Sequence, residues 1–510
     1  MKRIPIITVL IAALFAVSCS NKVPETVHSI PDHAFLVASM HPEQIYEKGQ
    51  LASMESITSR IDNDFMKSIV DDPMKSGIDI SQYVFVFVYF IDDNPVIGTT
   101  AVIKDEGKFR AMVDEVLDEG DIKIIEHKGY SMITPAGGEA AMGWNGEQVI
   151  FLASPDVEMS DTEWQEELVS LYSLEKEAAV TSIVDFNDFT GKMKDINVWA
   201  TGDEIQKLMA KIVPDADMDF QFPVDLANNY SQTFMEFADG AMYVTAETHF
   251  SDDVTKAAET FMVAKDELNS DLLELAPGND LLMAMAFSVE LDKMVDMMKN
   301  FTPPEMDSVS GKVEQMTGVP GKEILESLNG DFVIAVNGAK EGASIPVEVL
   351  IGIGLEDESL QQKLMGTVDN MADVQQDGDF FMINANGVEI YSGIVNSVWV
   401  ITNTPGYKDA VTGNGLDKTL NDSKFSDFAN GSMGMYMNLD LTTYPAALQN
   451  MMSQGGAPPM MELFTETFSY LGAEASNKES QMTLKTSKDD ENSLYSLLNL
   501  IEQAASSKEW

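Results

Sequence analysis

Residues 279–298 read NDLLMAMAFSVELDKMVDMM, and residues 32–51 read DHAFLVASMHPEQIYEKGQL. Each opens with a short apolar run of strand length, passes a polar or capping residue (Glu290, His41) and enters a stretch with helical spacing. The same grammar recurs at Glu177–Met193, around Asp185 or Asp188, and at Gly431–Leu448, around Asp440. One strand-to-helix unit used four times predicts a chain written twice.

The blocks between these units keep a common order. In the first, Tyr83–Phe90 and Val96–Ile103 read as paired strands around the turn-rich Asp92-Asp93-Asn94-Pro95, and Lys104-Asp105-Glu106 opens a helix through Leu117. Strand-like segments follow at Ile122–Glu126 and Tyr130–Ile133, then a hairpin over Ala140–Ala153 around Asn145-Gly146. In the second, Asp331–Asn337 and Val347–Gly354 match the paired strands, Glu356-Asp357-Glu358 opens the helix through Val368, and Phe380–Ile401 supplies the later strands, with turns at Asn386-Gly387 and Asn396-Ser397. Ala241–Phe250 and Gln481–Thr486 close the two blocks, each before an acidic turn and a helix. The expected fold is α+β: two related halves from an internal duplication, at 30–265 and 275–505, each a mainly antiparallel sheet with covering helices. Strands as apolar as Val84–Val88 call for cover on both faces.

The charge balance excludes whole classes of partner. Lys and Arg number 32 against 83 Asp and Glu, a formal charge of −51, so nucleic acid is not an expected partner. With 45% hydrophobic residues over 510, the chain can bury a large core. One Cys excludes an intrachain disulfide and Cys-rich metal sites.

That Cys sits where an export signal ends. Lys2 and Arg3 precede the apolar stretch Ile4–Val17, which is too short for a hydrocarbon core of about 30 Å but suits a signal peptide over residues 1–18. Ala16-Val17-Ser18-Cys19 resembles the bacterial lipobox, with Ala16 where leucine is usual. Cys19 is therefore the expected lipid attachment point, which also accounts for a single thiol in an exported chain. Removing the leader takes the charge to −53. Residues 19–29 read as a polar tether, and Ser20 in place of Asp after the Cys favours the outer membrane. Several acyl chains would hold the mature protein without help from basic residues.

The chemical inventory is thin. His28, His33, His41, His127 and His249 have no metal-ligand spacing, and no nucleophile motif accompanies a strand and helix, so no catalytic residue and no cofactor is assigned. His41 reads as a turn or cap residue rather than a base. Asp215, Asp217 and Asp219 alternate like calcium ligands, but Phe220 and Leu226 stand where an EF-hand loop needs Gly and Glu, so an acidic solvated loop is the preferred reading. Asp105-Glu106 and Glu356-Asp357-Glu358 could be paired acids, yet their positions suit stabilisation of helix N-termini. Methionine is unusually abundant at 33 residues. Met294, Met297 and Met298 have helical spacing and read as core filler rather than a copper site, whereas Met451, Met452, Met460 and Met461 flank a Gly-Pro loop and are candidate contacts for an apolar ligand or peptide. Trp144 and Trp399 occupy comparable late-strand positions and suggest a shared packing role.

The leader, the Ile30-Pro31-Asp32-His33-Ala34 opening into a strand, the Leu328-Asn329-Gly330-Asp331-Phe332 step into another, and the overall length resemble a family of Bacteroidetes lipoproteins classified only as domain of unknown function 4836. The resemblance implies export and architecture, with no catalytic residues to carry over.

Two function classes follow. The leading expectation is an envelope-anchored outer-membrane lipoprotein with a non-enzymatic binding or scaffolding role toward an envelope protein or apolar ligand. The alternative is a carboxylate-based or metal-assisted hydrolase of cell-envelope polymers, since two suitably separated carboxylates suffice for glycoside cleavage. Capture of cationic peptides by the negative field is a third option, one that salt would abolish.

Overall fold

Val84–Ile91 alternates fully buried Phe85, Phe87 and Tyr89 with half-buried Val84, Val86 and Val88, the period-2 pattern of a strand whose faces meet different surroundings. The computed structural model describes residues 25–54, 64–92, 94–117, 123–134, 139–154, 159–202, 228–252, 254–256, 263–293, 314, 317–343, 345–368, 373–385, 388–404, 406–413, 415–454 and 459–506. Every strand pairing among the described residues is antiparallel, and helices accompany the strands, so the fold is mixed α and β.

The chain forms two compact units, Met1–Glu47 with Thr58–Ala200, and Lys48–Ile57 with Thr201–Trp510. The first carries β1 (Leu36–Met40), β2 (Val84–Ile91), β3 (Asn94–Val102), β4 (Ile125–His127), β5 (Tyr130–Ile133), β6 (Ala140–Trp144), β7 (Gln148–Ala153) and β8 (Ile196–Thr201). They lie in the order β8-β1-β2-β3-β7-β6-β5-β4. Helix α1 (Glu106–Leu117) packs Phe109 and Val113 on Ile103, Ile133, Trp144 and Val149. On the other face, Leu168 and Tyr172 of α2 (Asp161–Tyr172) lie against Gly143, while Phe186 and Phe189 of α3 (Val184–Lys192) surround Trp199. A capping box between Ser160 and Glu163 starts α2, as its sequence allows. The apolar β2 is therefore met from both sides of the sheet.

The second unit carries β9 (Tyr230–Ala238), β10 (Ala241–His249), β11 (Leu281–Ser288), β12 (Leu328–Gly338), β13 (Val347–Leu355), β14 (Asp373–Asp377), β15 (Phe380–Ala385), β16 (Val388–Val395), β17 (Val398–Thr402), β18 (Met433–Asn438), β19 (Phe468–Ala475) and β20 (Glu479–Thr486). Their order is β9-β10-β20-β19-β18-β11-β12-β13-β17-β16-β15-β14. The hairpin β9–β10 belongs to this unit because β10 pairs with β20 along its length. Leu272, Leu273, Tyr407, Leu420, Phe425 and Phe428 close one face over Ala284, Ala286, Val333 and Ala335. Small residues there let rings rest on backbone: a Cβ on Gly472 would meet the Phe428 ring at 2.1 Å. Helix α4 (Ser359–Val368) covers the opposite face at the β13–β17 end, over Leu355, Ile383 and Trp399.

Two expectations are corrected. Residues 25–29 were expected in a tether, yet Glu25–Ser29 forms a 3-10 turn in which Thr26, Val27 and Ser29 are buried. Val27 and Ile30, both 0% exposed, supply the apolar anchor that a polar reading of this stretch missed, and Ser29 Oγ donates to Gln148 Oε1 at 3.2 Å. The apolar run after Glu177 was expected to be a strand, but it forms 3-10 turns at Lys176–Ala178 and Val180–Ser182. The second neighbour of β1 is β8, whose Asn197 and Trp199 are buried.

Candidate functional site

Strand β11 reads LLMAMAFS and β18 reads MGMYMN. Alternation puts the small residues Ala284, Ala286 and Gly434 on the core face and Met283, Met285, Met433, Met435 and Met437 on the other. Register then extends this second face across six strands. One row is Leu484, Leu471, Met437, Met283, Val336 and Val349; the next is Met482, Ala473, Met435, Met285, Ile334 and Ile351. The third is Ser480, Ala475, Met433, Phe287, Phe332 and Ile353, with the Phe287 and Phe332 rings stacked at 5.0 Å.

No charge stands in these rows, and Ser480 supplies their one hydroxyl. None of the side chains is fully buried; most are half-buried and Met433 is 41% exposed. On the opposite face, Ala284, Ala286, Val333 and Ala335 are 0% exposed. The sheet therefore has one closed core face and one apolar face that is only partly covered, rich in the most adaptable apolar side chain.

The methionines picked out from sequence lie beside one end of this field. Helices α5 (Ala446–Gln454) and α6 (Pro459–Thr467) form the excursion between β18 and β19, and Pro445 packs against Gly338 at the end of β12. Met451 is 61% exposed and Met452 half-buried on α5, while Phe464 on α6 is exposed and touches Phe468. Met460 and Met461 fall on α6, with side chains outside the described residues. Cys19, Asp215, Asp217, Asp219, Met294, Met297 and Met298 also lie outside the described residues.

A second feature is a cleft of about 600 Å³ lined by Lys340, Glu341, Glu348, Asn384, Glu389 and Asn403. It opens beside the long loop 339–346 that joins β12 to β13, whereas β2 and β3 are joined through residues 92 and 93 alone. Asn403 pins its wall, accepting from Val349 N–H at 2.7 Å and donating to the Val347 carbonyl at 3.1 Å. Burial pushes the Glu348 carboxyl above its usual range, against the opposing pull of Lys340 and a hydrogen bond with Thr404. Tyr391 Oη donates to Glu389 at 2.9 Å.

Other polar candidates have local partners. Gln44 N–H reaches His41 Nδ1 at 3.4 Å, which makes His41 a turn residue. His28 Nδ1 lies 3.0 Å from Thr181, and His249 stacks on Tyr230 at 4.7 Å. Asp105 Oδ1 accepts from Lys108 N–H at 3.1 Å, and Asp357 Oδ1 from Ser359 N–H at 2.9 Å, so both acids cap helices. Among the described residues no group of three or more His, Cys, Asp or Glu could hold a metal ion, and no helix is long and apolar enough to cross a membrane.

Sequence reasoning missed the methionine face. The alternation of Met with Ala or Gly in β11 and β18 was its local signal.

These features define a mixed α and β protein with a partly open apolar sheet face. The chain belongs to the family described as a domain of unknown function (DUF4836), which matches residues 25–494. Among solved structures, crystal form I of TP0453 is similar over 49% of this chain and 89% of its own, at 6% identity and a TM-score of 0.28. Crystal form III of TP0453 gives 49% and 91%, 8% identity and a TM-score of 0.26. Likeness at this level carries no argument about fold or function. No curated protein matches the chain.

Proposed function

We propose that this protein is an outer-membrane lipoprotein, anchored through lipid on Cys19, whose body has a non-enzymatic binding role exercised on the methionine-bearing face. The observation that carries the reading is that face: three uncharged rows across six strands, in a chain whose formal charge is −51. The leader supports the anchor. The early start of folded structure shortens the tether to residues 20–24, which reach about 18 Å when extended, and so holds the body close to the membrane.

The two units further arise, on this reading, from an internal duplication. Its support is a shared strand order: β8-β1-β2-β3-β7-β6-β5-β4 in one and β18-β11-β12-β13-β17-β16-β15-β14 in the other. Details match too. Lys104 and Asp105 N–H groups both donate to the Gly77 carbonyl before α1, and those of Glu356 and Asp357 both donate to the Ser327 carbonyl before α4.

Cross-linking mass spectrometry in intact cells, with protease shaving to find the exposed side, tests the reading. Cross-links to envelope partners or co-purification of an apolar ligand, lost when Met435→Glu is introduced, are expected. Absence of both would sink it.

The cleft favours a second reading, a carboxylate hydrolase, because it brings Glu348 and Glu389 to one cavity and keeps Glu348 more readily protonated. Turnover of an envelope glycan or peptide, abolished by Glu348→Gln and by Glu389→Gln, would replace the binding reading with this one.

A further inference from the structure

We infer that the methionine-bearing face of the second unit is a hydrocarbon site that takes the acyl chain of a lipid. The inference deepens the binding reading above and rests on it. Three properties of the face select this ligand.

The first is charge. The surface of the protein is strongly anionic as a whole, yet the rows from Leu484 to Ile353 contain no ionisable group and only the Ser480 hydroxyl at one corner. A peptide or folded partner would bring backbone and side-chain polar groups that find no match there, at a desolvation cost for each one left unpaired. A second copy of this chain brings the same large negative charge and is repelled. A saturated chain has neither problem.

The second is size. Six strands at a spacing of about 4.8 Å make the field roughly 24 Å wide, and three rows at alternate residues make it roughly 14 Å deep. An acyl chain spans one leaflet of a bilayer, about half of a hydrocarbon core of roughly 30 Å. A chain lying along the strands matches the roughly 14 Å dimension, and the roughly 24 Å width takes several such chains side by side.

The third is the choice of side chain. The core face of the same strands carries Ala284, Ala286, Gly434 and Tyr436 in a closed cluster, while the partly covered face concentrates Met283, Met285, Met433, Met435 and Met437 on two adjacent strands. Unbranched thioethers re-pack around chains of different length and unsaturation. The exposed Met451 and Phe464 lie on the helical excursion that leaves and re-enters the sheet beside the first row, so the apolar surface continues past the sheet edge.

The test uses the full chain in growing cells fed a diazirine-bearing palmitic acid analogue, irradiated, with adducts then mapped on the purified protein. Adducts are expected on peptides containing 281–288 and 433–438. They should fall about ten-fold in Met285→Glu/Met435→Glu, since a charge facing hydrocarbon is worth at least one decade of affinity. Met433→Glu, at a position already 41% exposed, provides a variant that keeps the fold, checked by its thermal melt. Adducts confined to the Cys19 peptide would overturn the acyl site and leave the anchor standing. Adducts on the two strands with an unlabelled Cys19 peptide would keep the site and overturn the anchor. Strand adducts undiminished in Met433→Glu and in the double variant, or cross-links from these strands only to another segment or copy of this chain, would also overturn the site.

Discussion

In the first unit α1 rests on a tryptophan at the last rung of β6; in the second α4 rests on one at the second rung of β17. Trp144 faces Val149 across the β6–β7 hairpin, and Ile394 faces Trp399 across β16–β17, so the same cross-strand pair holds one tryptophan with its strand exchanged. The surroundings differ. Phe109 meets Trp144 edge-on at 5.8 Å in an apolar cluster, where the buried Ser131 opposite Trp144 donates to Glu126 Oε1, and the Trp144 indole N–H finds no acceptor among the described residues. Around Trp399 the cluster admits two buried polar side chains: Ser392 Oγ accepts from Trp399 Nε1 at 2.8 Å and from Gln361 Nε2 at 3.3 Å. In each unit the helix rests on one large aromatic at that cross-strand pair, supplied by β6 in the first and by β17 in the second, and only the second gives the indole N–H an acceptor.

The strongest way to break the comparison is at the helix. Phe109 and Gln361 each stand four residues after the capping Asp105 or Asp357. Phe109→Ala removes a ring that is 1% exposed and should destabilise its unit by about 3–5 kcal/mol. Gln361→Ala should cost its unit about 1–2 kcal/mol, because Ser392 keeps its bond to Trp399. Hydrogen exchange of each unit's strands reads both, and equal losses would refute the difference in cluster chemistry.

A finer cut exchanges each tryptophan for phenylalanine. Both substitutions lose similar packing, but Trp399→Phe takes from the buried Ser392 Oγ the shorter of its two donors and leaves it the bond from Gln361, whereas Trp144→Phe removes an unpaired N–H. Trp399→Phe should therefore be the more costly by about 0.5–1.5 kcal/mol in urea unfolding followed unit by unit. If Trp144→Phe proved the worse, the account of these hydrogen bonds would fail.

The smallest effect sits before the helices. Asp79 Oδ1 accepts from Ser81 N–H and Oγ in the first unit, and Asn329 Oδ1 accepts from Asp331 N–H in the second. Burial alone would raise the Asp79 carboxyl, but its bonds from Ser81 and the charge of Lys104 together hold it below 3.8. A carboxyl so lowered stabilises the fold fully above its ordinary value, and that stability is lost as pH falls through the lowered one. Protection of the Ser81 amide should accordingly drop in acid in the wild type and stay level in Asp79→Asn. A drop of the same size in Asp79→Asn would assign it to another group.

Local elements were largely legible. The apolar run Tyr83–Phe90, the Asn145-Gly146 and Asn396-Ser397 turns and the acids ahead of α1 and α4 mark structure where it occurs, because turns and caps depend on neighbours in the chain. The segment 176–182 misled, since four apolar or β-branched residues in a row read as a strand when no partner strand is in view. Of the candidate site, Met451 and its neighbours were visible as an unusual composition. The larger field was not, because methionine in a single strand looks like ordinary core.

The order of residues along the chain thus sets what is local and compositional: the family, the hairpins, the helix starts, and a strongly acidic chain rich in methionine. Tertiary structure alone decided that Met283, Met435 and Met482 share one face. The physical reason is that antiparallel register joins residues far apart in the chain. Each strand carries only a period of two, and an apolar surface wide enough for a ligand exists only when six such periods are aligned.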